Sequence, residues 1–308
     1  MKPNITPVTF TIYSNYFNDL GLSQCHSDLT RVYRQVVQKV GEETLWNENS
    51  ESIYKLWDEL SDFGVGAIDD ALNHCLSRLC QWLDADNAFW IGAVRVMQGK
   101  QAHKDAMLGW RASSLQLLDS EKIDRARQKE SIRRLNAVDP GDTTRALVVQ
   151  AGCFRAYRLR ASELVDFTSF QKTDHYDYYY REIGISDRLW IVFPVGDDIE
   201  CYYCFDKYGV HRRFSQSGME LAAGVMRGIK WFHRQILLSH GIGIAGAPLT
   251  PSERRTLQSL VTGASRKEIA CQLGVTPGTA HQYCLSVYRK FGVSSKAGLL
   301  ALWLNHPN

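Results

Sequence analysis

The feature that most constrains the fold is a series of helix start and stop signals near the C-terminus. Hydroxyl residues followed by proline or by a capping glutamate mark three starts, at Thr250, Ser265 and Thr276, and a fourth start lies at Ser294 or Ser295. Glycines mark the stops, at Gly263, Gly274 and Gly292. Since one cap contributes about 1 kcal/mol, the boundaries are specified locally. The pattern predicts an all-α domain of four helices over residues 249–308.

A short turn joins the second and third of these helices. The turn, residues 273–276, contains glycine and has the length found in helix-turn-helix motifs, whose second helix enters the major groove of DNA. On the third helix, Ala280, Cys284, Val287 and Phe291 form the predicted inward stripe.

The opposite face of the third helix carries the side chains predicted to meet DNA. Gln282 can bond an adenine edge at two points, His281 can donate to guanine or phosphate, and Leu285 can meet a thymine methyl group. Basic residues near a helix N-terminus suit phosphate oxygens. The predicted DNA-binding residues are Arg266, Lys267, Thr279, His281, Gln282, Leu285, Ser286, Arg289 and Lys290.

The charge of the chain is divided unevenly. The total is +3, but residues 248–308 hold seven basic and two acidic side chains, a net charge of +5. The other 247 residues hold 29 basic and 31 acidic side chains, a net charge of −2. This asymmetry predicts double-stranded DNA as the partner of the C-terminal domain alone.

A segment rich in small residues separates the two parts. Residues 241–248 contain three glycines, two alanines and a proline, a composition that does not sustain a helix. We therefore predict a linker over 241–248, preceded by a helical extension over 1–60 and a larger domain over 61–240.

The hydropathy pattern of the N-terminal body predicts an α+β domain, with an antiparallel sheet and flanking helices. Strands are predicted at 88–97, 108–112, 154–159, 188–195 and 199–205, and helices at 29–40, 53–60, 65–83, 120–136, 143–149 and 169–182. A last helix is predicted over 217–238, with Ser217 and Glu220 as its capping box. Its apolar stripe either packs on the sheet or forms the seam of a dimer.

The motifs that could indicate catalysis are better interpreted as structural. Cys201 and Cys204 have CxxC spacing, but in a strand they face opposite sides, which predicts core thiols. The Asp174-His175 pair is interpreted as an exposed polar turn, and neither GxSxG nor GxxxxGK[ST] occurs. We predict no enzymatic activity, metal or cofactor.

The sequence shows no apolar run of the about 18 residues that a membrane span needs, and no signal peptide. Its cysteines fall inside apolar patterns, as is usual for reduced thiols. A cytoplasmic protein without a membrane partner is therefore predicted.

Residues 249–301 resemble the DNA-binding domain of the LuxR/FixJ family of bacterial transcription regulators. The matching landmarks are Leu249-Thr250-Pro251 with Glu253, Lys267-Glu268-Ile269-Ala270, Leu273-Gly274-Val275, Thr279, Arg289-Lys290-Phe291-Gly292-Val293 and Ala297. The resemblance implies a four-helix domain that binds promoter DNA as a homodimer and recruits or blocks RNA polymerase. The family pattern Thr-Val-Lys-x-His reads Thr-Ala-His-Gln-Tyr over 279–283, and Leu285 follows where a basic or polar residue is usual.

Residues 60–240 resemble the GAF-like sensor domains of such regulators. The resemblance lies in residues 63–91, in 175–194 and in Phe214-Ser215, and it implies a small-molecule effector bound between the sheet and its helices. The candidate ligand-binding aromatics are Trp90, Trp110, Tyr176, Trp190 and Tyr203. Strand alternation is taken to turn Trp90, Trp190 and Tyr203 toward the helical layer.

Other identities for the N-terminal region are less well supported by the sequence. A receiver domain is disfavoured because the first sixty residues read as helices rather than as the acidic strand ends it requires. An acyl-homoserine-lactone receptor stays an alternative, although its Trp-Tyr-Asp-Pro pattern is not placed in the chain. The other alternative is an enzyme or protein-interaction module tethered to DNA.

Overall fold

A computed structural model describes residues 45–119, 125–136, 141–243, 245–247 and 249–305. The predicted helix at 29–40 and most of the predicted extension lie outside them. In the first half, the helices are α1 (Leu45–Asp62), α2 (Ile68–Leu83), α3 (Gly99–Ala102), α4 (Arg125–Leu135) and α5 (Asp142–Val149). A 3₁₀ turn, Val65–Ala67, precedes α2. The strands are β1 (Asn87–Arg95), β2 (Trp110–Leu117), β3 (Arg155–Arg158), β4 (Ile185–Gly196) and β5 (Ile199–Tyr208).

The remaining helices follow β3 and β5. Between β3 and β4 lie a 3₁₀ turn (Leu159–Ala161), α6 (Phe167–Phe170), α7 (Asp174–Tyr176) and a π-helical turn (Asp177–Arg181). After β5 come α8 (Gln216–Arg227), α9 (Lys230–Ser239), α10 (Pro251–Val261), α11 (Arg266–Leu273), α12 (Pro277–Lys290) and α13 (Lys296–Asn305). None of the helices in the described ranges is long and apolar enough to cross a membrane.

The strands form one antiparallel sheet in the order β2-β1-β5-β4-β3. Helices lie against both faces, so the predicted antiparallel sheet with flanking helices is confirmed. The edge strand β2 pairs only with β1, and a register shift falls between Gly92 and Ala93 of that pair. An edge strand held on one side can shift more easily than a central one.

Alternation along the strands gives the two faces different neighbours. On one face, Tyr203 bonds to His233 of α9, and the Trp90 ring lies 4.7 Å from that of His240. On the other, Trp190 and Tyr202 join the cluster formed with α5 and α6. The expectation that Trp90, Trp190 and Tyr203 share a face is wrong for Trp190, because it pairs with Cys204 in the register of β4 and β5.

The prediction of a single helix over 217–238 is wrong. The segment is divided into α8 and α9 at Gly228 and Ile229, and the cap is Ser215, whose hydroxyl accepts from the Gly218 N–H. A side chain at 228 would collide with the Trp57 ring of α1, so the close packing of α1 at this break requires glycine. The stripe of this segment, including Phe232 and Ile236, is buried within the chain, which excludes it as a dimer seam.

The helix predicted over 169–182 is likewise divided into short pieces. Asp166 caps α6, and Thr173 caps α7 by accepting from the Tyr176 N–H. Because the Thr173 hydroxyl caps a new helix inside the predicted one, the chain changes direction at this residue.

In the C-terminal domain the predicted starts and stops are confirmed. Thr250, Ser265 and Thr276 accept from the third N–H of α10, α11 and α12, and the first two are capping boxes. Gly263, Gly274 and Gly292 have positive φ angles of 94°, 64° and 64°. The Ser295 hydroxyl accepts from the Gly298 N–H at the start of α13, which selects Ser295 over Ser294 as the fourth cap.

Candidate functional site

The predicted recognition helix α12 is held by its inward stripe. Ala280, Cys284, Val287 and Phe291 are buried against α10, α11 and α13, as the sequence predicted. Pro277 begins the helix, and Gly274 supplies the left-handed turn from α11. The pair α11–α12 is therefore a helix-turn-helix with a rigid core.

The outward face of α12 presents side chains to solvent. Gln282 and Arg289 are exposed, and Leu285 is 38% exposed although it is apolar. Arg266, on the first turn of α11, reaches across so that its Nη1 lies 3.5 Å from His281 Nδ1. Lys267 is exposed beside it. These residues form one surface across α11 and α12, which we call the reading face.

Thr279 lies in the first turn of α12, at the rim of the reading face. Its hydroxyl is 3.0 Å from that of the cap Thr276, and its N–H donates to the same cap oxygen. Its position there is fixed by the capping hydrogen bonds.

Two of the predicted DNA-binding residues point into the domain. Ser286 donates to Glu253 Oε1 at 2.6 Å, and Lys290 Nζ donates to Oε2 at 2.6 Å. Burial alone would raise the pKa of Glu253, but these bonds and those from Thr250 lower it to about 2. The carboxylate ties α12 to the start of α10, a role that its capping-box position does not reveal in the sequence.

A cavity of about 120 Å³ lies on the face of the sheet opposite α2 and α9. This is about ten times the volume that one water molecule requires. Its walls are largely apolar, with Phe89 and Ile91 from β1 and Leu115 and Leu117 from β2. The space suits a small organic molecule.

The candidate ligand aromatics divide between the faces. Trp110 and Trp190 line the cavity. Tyr176 stacks on the cavity residue Tyr180 at 5.5 Å between ring centroids. Trp90 and Tyr203 lie on the opposite face, in contact with His240 and His233.

The polar groups of the cavity come mostly from residues that the sequence did not single out. Thr143 Oγ1 and His175 Nε2 lie 3.0 Å apart at the wall, so the interpretation of His175 as part of an exposed turn is wrong. Arg188 lines the cavity and is bonded to Asp206 through two nitrogens.

One cavity donor is left without a partner among the described residues. Trp110 is 1% exposed, and its indole Nε1 has no hydrogen-bond partner there. An unmet buried donor costs free energy until an acceptor arrives. A bound molecule with an oxygen acceptor would supply it.

The two strand cysteines behave as predicted core thiols. Cys204 lines the cavity, whereas Cys201 faces the other way, and burial raises the pKa of the Cys201 thiol to about 12 and that of Cys204 still further. Over the described part of the chain, no group of three His, Cys, Asp or Glu side chains is arranged to hold a metal ion.

Comparisons with known proteins identify the C-terminal domain. The family model described as bacterial regulatory proteins, luxR family, matches residues 247–302. The transcriptional regulatory protein MctR of Rhizobium johnstonii is 44% identical over 59 residues, which are 19% of this chain and 28% of that protein. The probable HTH-type transcriptional regulator GfsR of Streptomyces halstedii is 37% identical over 59 residues, 19% of this chain and 24% of that protein.

The match thus spans about a quarter of the length of these relatives. Among solved structures, SdiA of Escherichia coli superposes with a TM-score of 0.43 and 11% identity, over 82% of this chain and 94% of that one.

Proposed function

We propose that this chain, whose residues 247–302 form a luxR-family helix-turn-helix domain, is a transcription regulator that reads DNA with α12 and senses a small molecule with its N-terminal region. The observation that carries the proposal is the reading face. On this face Gln282, His281 and Leu285 would meet base edges, and Arg266 and Lys267 would meet phosphates at the flank. Base contacts and phosphate contacts are thereby separated on the surface.

Useful affinity would come from a homodimer. A charge of +5 is modest, so one domain binds DNA weakly, and two linked domains gain through effective concentration. Dimeric helix-turn-helix proteins reach half-sites about 34 Å apart. By resemblance to the family, such a dimer would recruit or block RNA polymerase at a promoter.

The DNA-binding half is tested by alanine substitutions in the full chain. Lys267→Ala and Arg289→Ala should weaken binding to all sequences and reduce the slope of log affinity against log salt by about 0.9 each. Gln282→Ala should instead relax the preference at one base pair, worth about 1–3 kcal/mol. Lys100→Ala, which removes an exposed charge of the N-terminal region, is the control. Unchanged affinity in both basic variants of the reading face contradicts this arrangement.

For the sensing half, we propose a GAF-like domain whose ligand is uncharged and largely apolar. The antiparallel sheet with helices on both faces supports this identity. Two guanidinium groups line the cavity, and both are already paired: Arg111 with Asp105 and Arg188 with Asp206. A charged ligand would therefore enter without a free counter-ion. Trp110 offers one donor to an acceptor oxygen.

Thermal-shift measurements with uncharged acyl amides and with the matching fatty acids would test this ligand class. The amides should raise the melting temperature more than the acids do. Trp110→Phe should reduce the shift, whereas Trp90→Phe, the same substitution on the other face of the sheet, should not. Acids binding as well as amides contradict the uncharged ligand. Consumption of the amide would favour the tethered-enzyme alternative, and selective binding of acylated lactones the homoserine-lactone receptor.

A further inference from the structure

Two side chains of α10, the first helix of the DNA-reading domain, bind the same carboxylate of the N-terminal region. Arg254 Nη2 donates to Asp69 Oδ1, and Gln258 Nε2 donates to Asp69 Oδ2 at 2.9 Å. Asp69 lies in the first turn of α2, and its neighbour Asp70 is exposed. Both oxygens of one aspartate are thus used by the other domain.

Close packing accompanies these bonds. A Cβ at Gly66, in the 3₁₀ turn before α2, would lie 2.3 Å from Thr262 Cγ2, at the end of α10. Two residues earlier, a Cβ at Gly64 would meet nothing within 4 Å. The turn and the helix therefore touch at Gly66 with no room for a side chain.

The same aspartate also faces the sheet. His240, which follows α9 and is 5% exposed, places its Nε2 3.8 Å from Asp69 Oδ1 and its Nδ1 2.5 Å from Ser114 Oγ of β2. Gln116, also on β2, donates to the Asp69 carbonyl at 3.2 Å. Burial, and secondarily the Arg254 guanidinium, holds the pKa of His240 well below its ordinary value, so the ring is neutral.

Strand β2 therefore lies between the cavity and the contacts of Asp69. Leu115 and Leu117 line the cavity, whereas Ser114 and Gln116, alternating with them, reach His240 and Asp69. A molecule that displaces this edge strand from the cavity side displaces the partners of Asp69 as well.

We propose that Asp69 is a positioning residue for DNA reading: it latches α10 onto the N-terminal region, fixes the orientation of the reading face, and does so within reach of the cavity wall. The reading face lies on α11 and α12, so the latch sets where it points without using its side chains. The consequence for DNA rests on the proposed function, whereas the latch itself does not.

Cleavage of the full-length chain in the segment 241–247 tests the latch. Thermolysin cuts before aliphatic residues, and this segment contains four of them, Ile242, Ile244, Ala245 and Ala247. Asp69→Arg should accelerate cleavage about fivefold, because it replaces attraction to Arg254 by repulsion and raises the open population. Combining it with Arg254→Asp, which restores the pair with reversed charges, should return the rate toward that of the wild type.

Matched controls separate the latch from general effects of charge. Asp70→Arg makes the same charge change as Asp69→Arg, in the same turn of α2. Arg255→Asp makes the same charge change as Arg254→Asp, at the neighbouring exposed position of α10. Both should leave cleavage near the wild-type rate. Equal rates for Asp69→Arg and Asp70→Arg, or no recovery in the double variant, overturn the proposal.

A steric variant tests the same contact without changing charge. Gly66→Val should accelerate cleavage by pushing against Thr262, whereas Gly64→Val should not. An unchanged melting temperature in the two Asp69 variants would show that the domains stay folded while they separate. Cleavage is measured without DNA, so the two proposals can fail separately. If the wild-type chain binds DNA but the Asp69 variants are cleaved at the wild-type rate, only the latch is overturned. Faster cleavage in a chain that does not bind DNA overturns only the proposed function.

Discussion

The two regions of this protein use arginine in opposite ways. In the C-terminal domain, Arg266 and Arg289 are exposed on the reading face. In the N-terminal region, Arg155 and Arg188 are buried and bonded to Glu200 and Asp206. The net charges of +5 and −2 count side chains only and do not show this difference in placement. Exposed guanidinium groups attract a polyanion, whereas buried and paired ones contribute only to the interior.

The largest loss of stability should come from removing one partner of a buried ion pair. Glu200→Ala leaves Arg155, whose side chain is 4% exposed, without its carboxylate, and should lower the free energy of unfolding by about 3–5 kcal/mol. Glu130→Ala removes the partner of two more exposed arginines of α4 and should have a much smaller effect. Urea unfolding of both variants measures the difference, and equal losses would erase the contrast between buried and exposed charges.

Acid should destabilise the N-terminal region first. Burial lowers the pKa of His233 from its ordinary 6.5 to about 4, so the unfolded chain takes up the proton before the folded one does. Stability therefore falls as the pH drops from 6.5, by about 1.4 kcal/mol per pH unit, until about pH 4. His240, also held neutral by burial, acts in the same sense.

The C-terminal domain should respond to acid at a lower pH. The pKa of Glu253 is lowered from 4.5 to about 2, so its contribution is present above pH 4.5 and is lost as the pH falls toward 2. Hydrogen exchange at pH 7 and pH 5 would compare α9 with α12. His233→Gln should flatten the loss in the N-terminal region, and an unchanged pH dependence in this variant would refute the assignment to the buried histidine.

The smallest changes in stability are expected from substitutions at two glycines of the helix-turn-helix. Gly274→Ala forces a side chain into the left-handed conformation at φ 64° and should cost about 1 kcal/mol. Gly278→Ala, in the first turn of α12, meets no close neighbour and should stabilise the domain by about 0.5 kcal/mol. Thermal unfolding gives both values, and shifts of the same sign would mean that local conformation does not set these helix boundaries.

A feature could be predicted from the sequence when the residues that determine it lie close together along the chain. The caps at Thr250, Ser265 and Thr276 act over three residues, so the helices of the C-terminal domain were predicted correctly. Gly228 stands at the break between α8 and α9, but its packing against Trp57, which is far away in the chain, is visible only in the structure.

The sites divide in the same way. The outward positions of α12 follow from helical periodicity, yet the inward turn of Lys290 depends on Glu253 of another helix. The face of Trp190 depends on strand register, and the polar wall of the cavity depends on His175 meeting Thr143 across 32 residues. Packing between distant segments decides such cases, and spacing along the chain does not.

The segment between the domains is shorter than its composition suggests. Ile242 is buried and would collide with a side chain at Gly92 of β1, and the Gly246 N–H donates to the carbonyl of Lys290 at the end of α12. The three residues between these anchors span at most about 14 Å. A tether this short keeps the effective concentration of one domain near the other in the millimolar range or above. The contacts of Asp69 and the packing at Gly66 then need to contribute only a small free energy to hold the domains together, and an equally small binding energy is enough to part them.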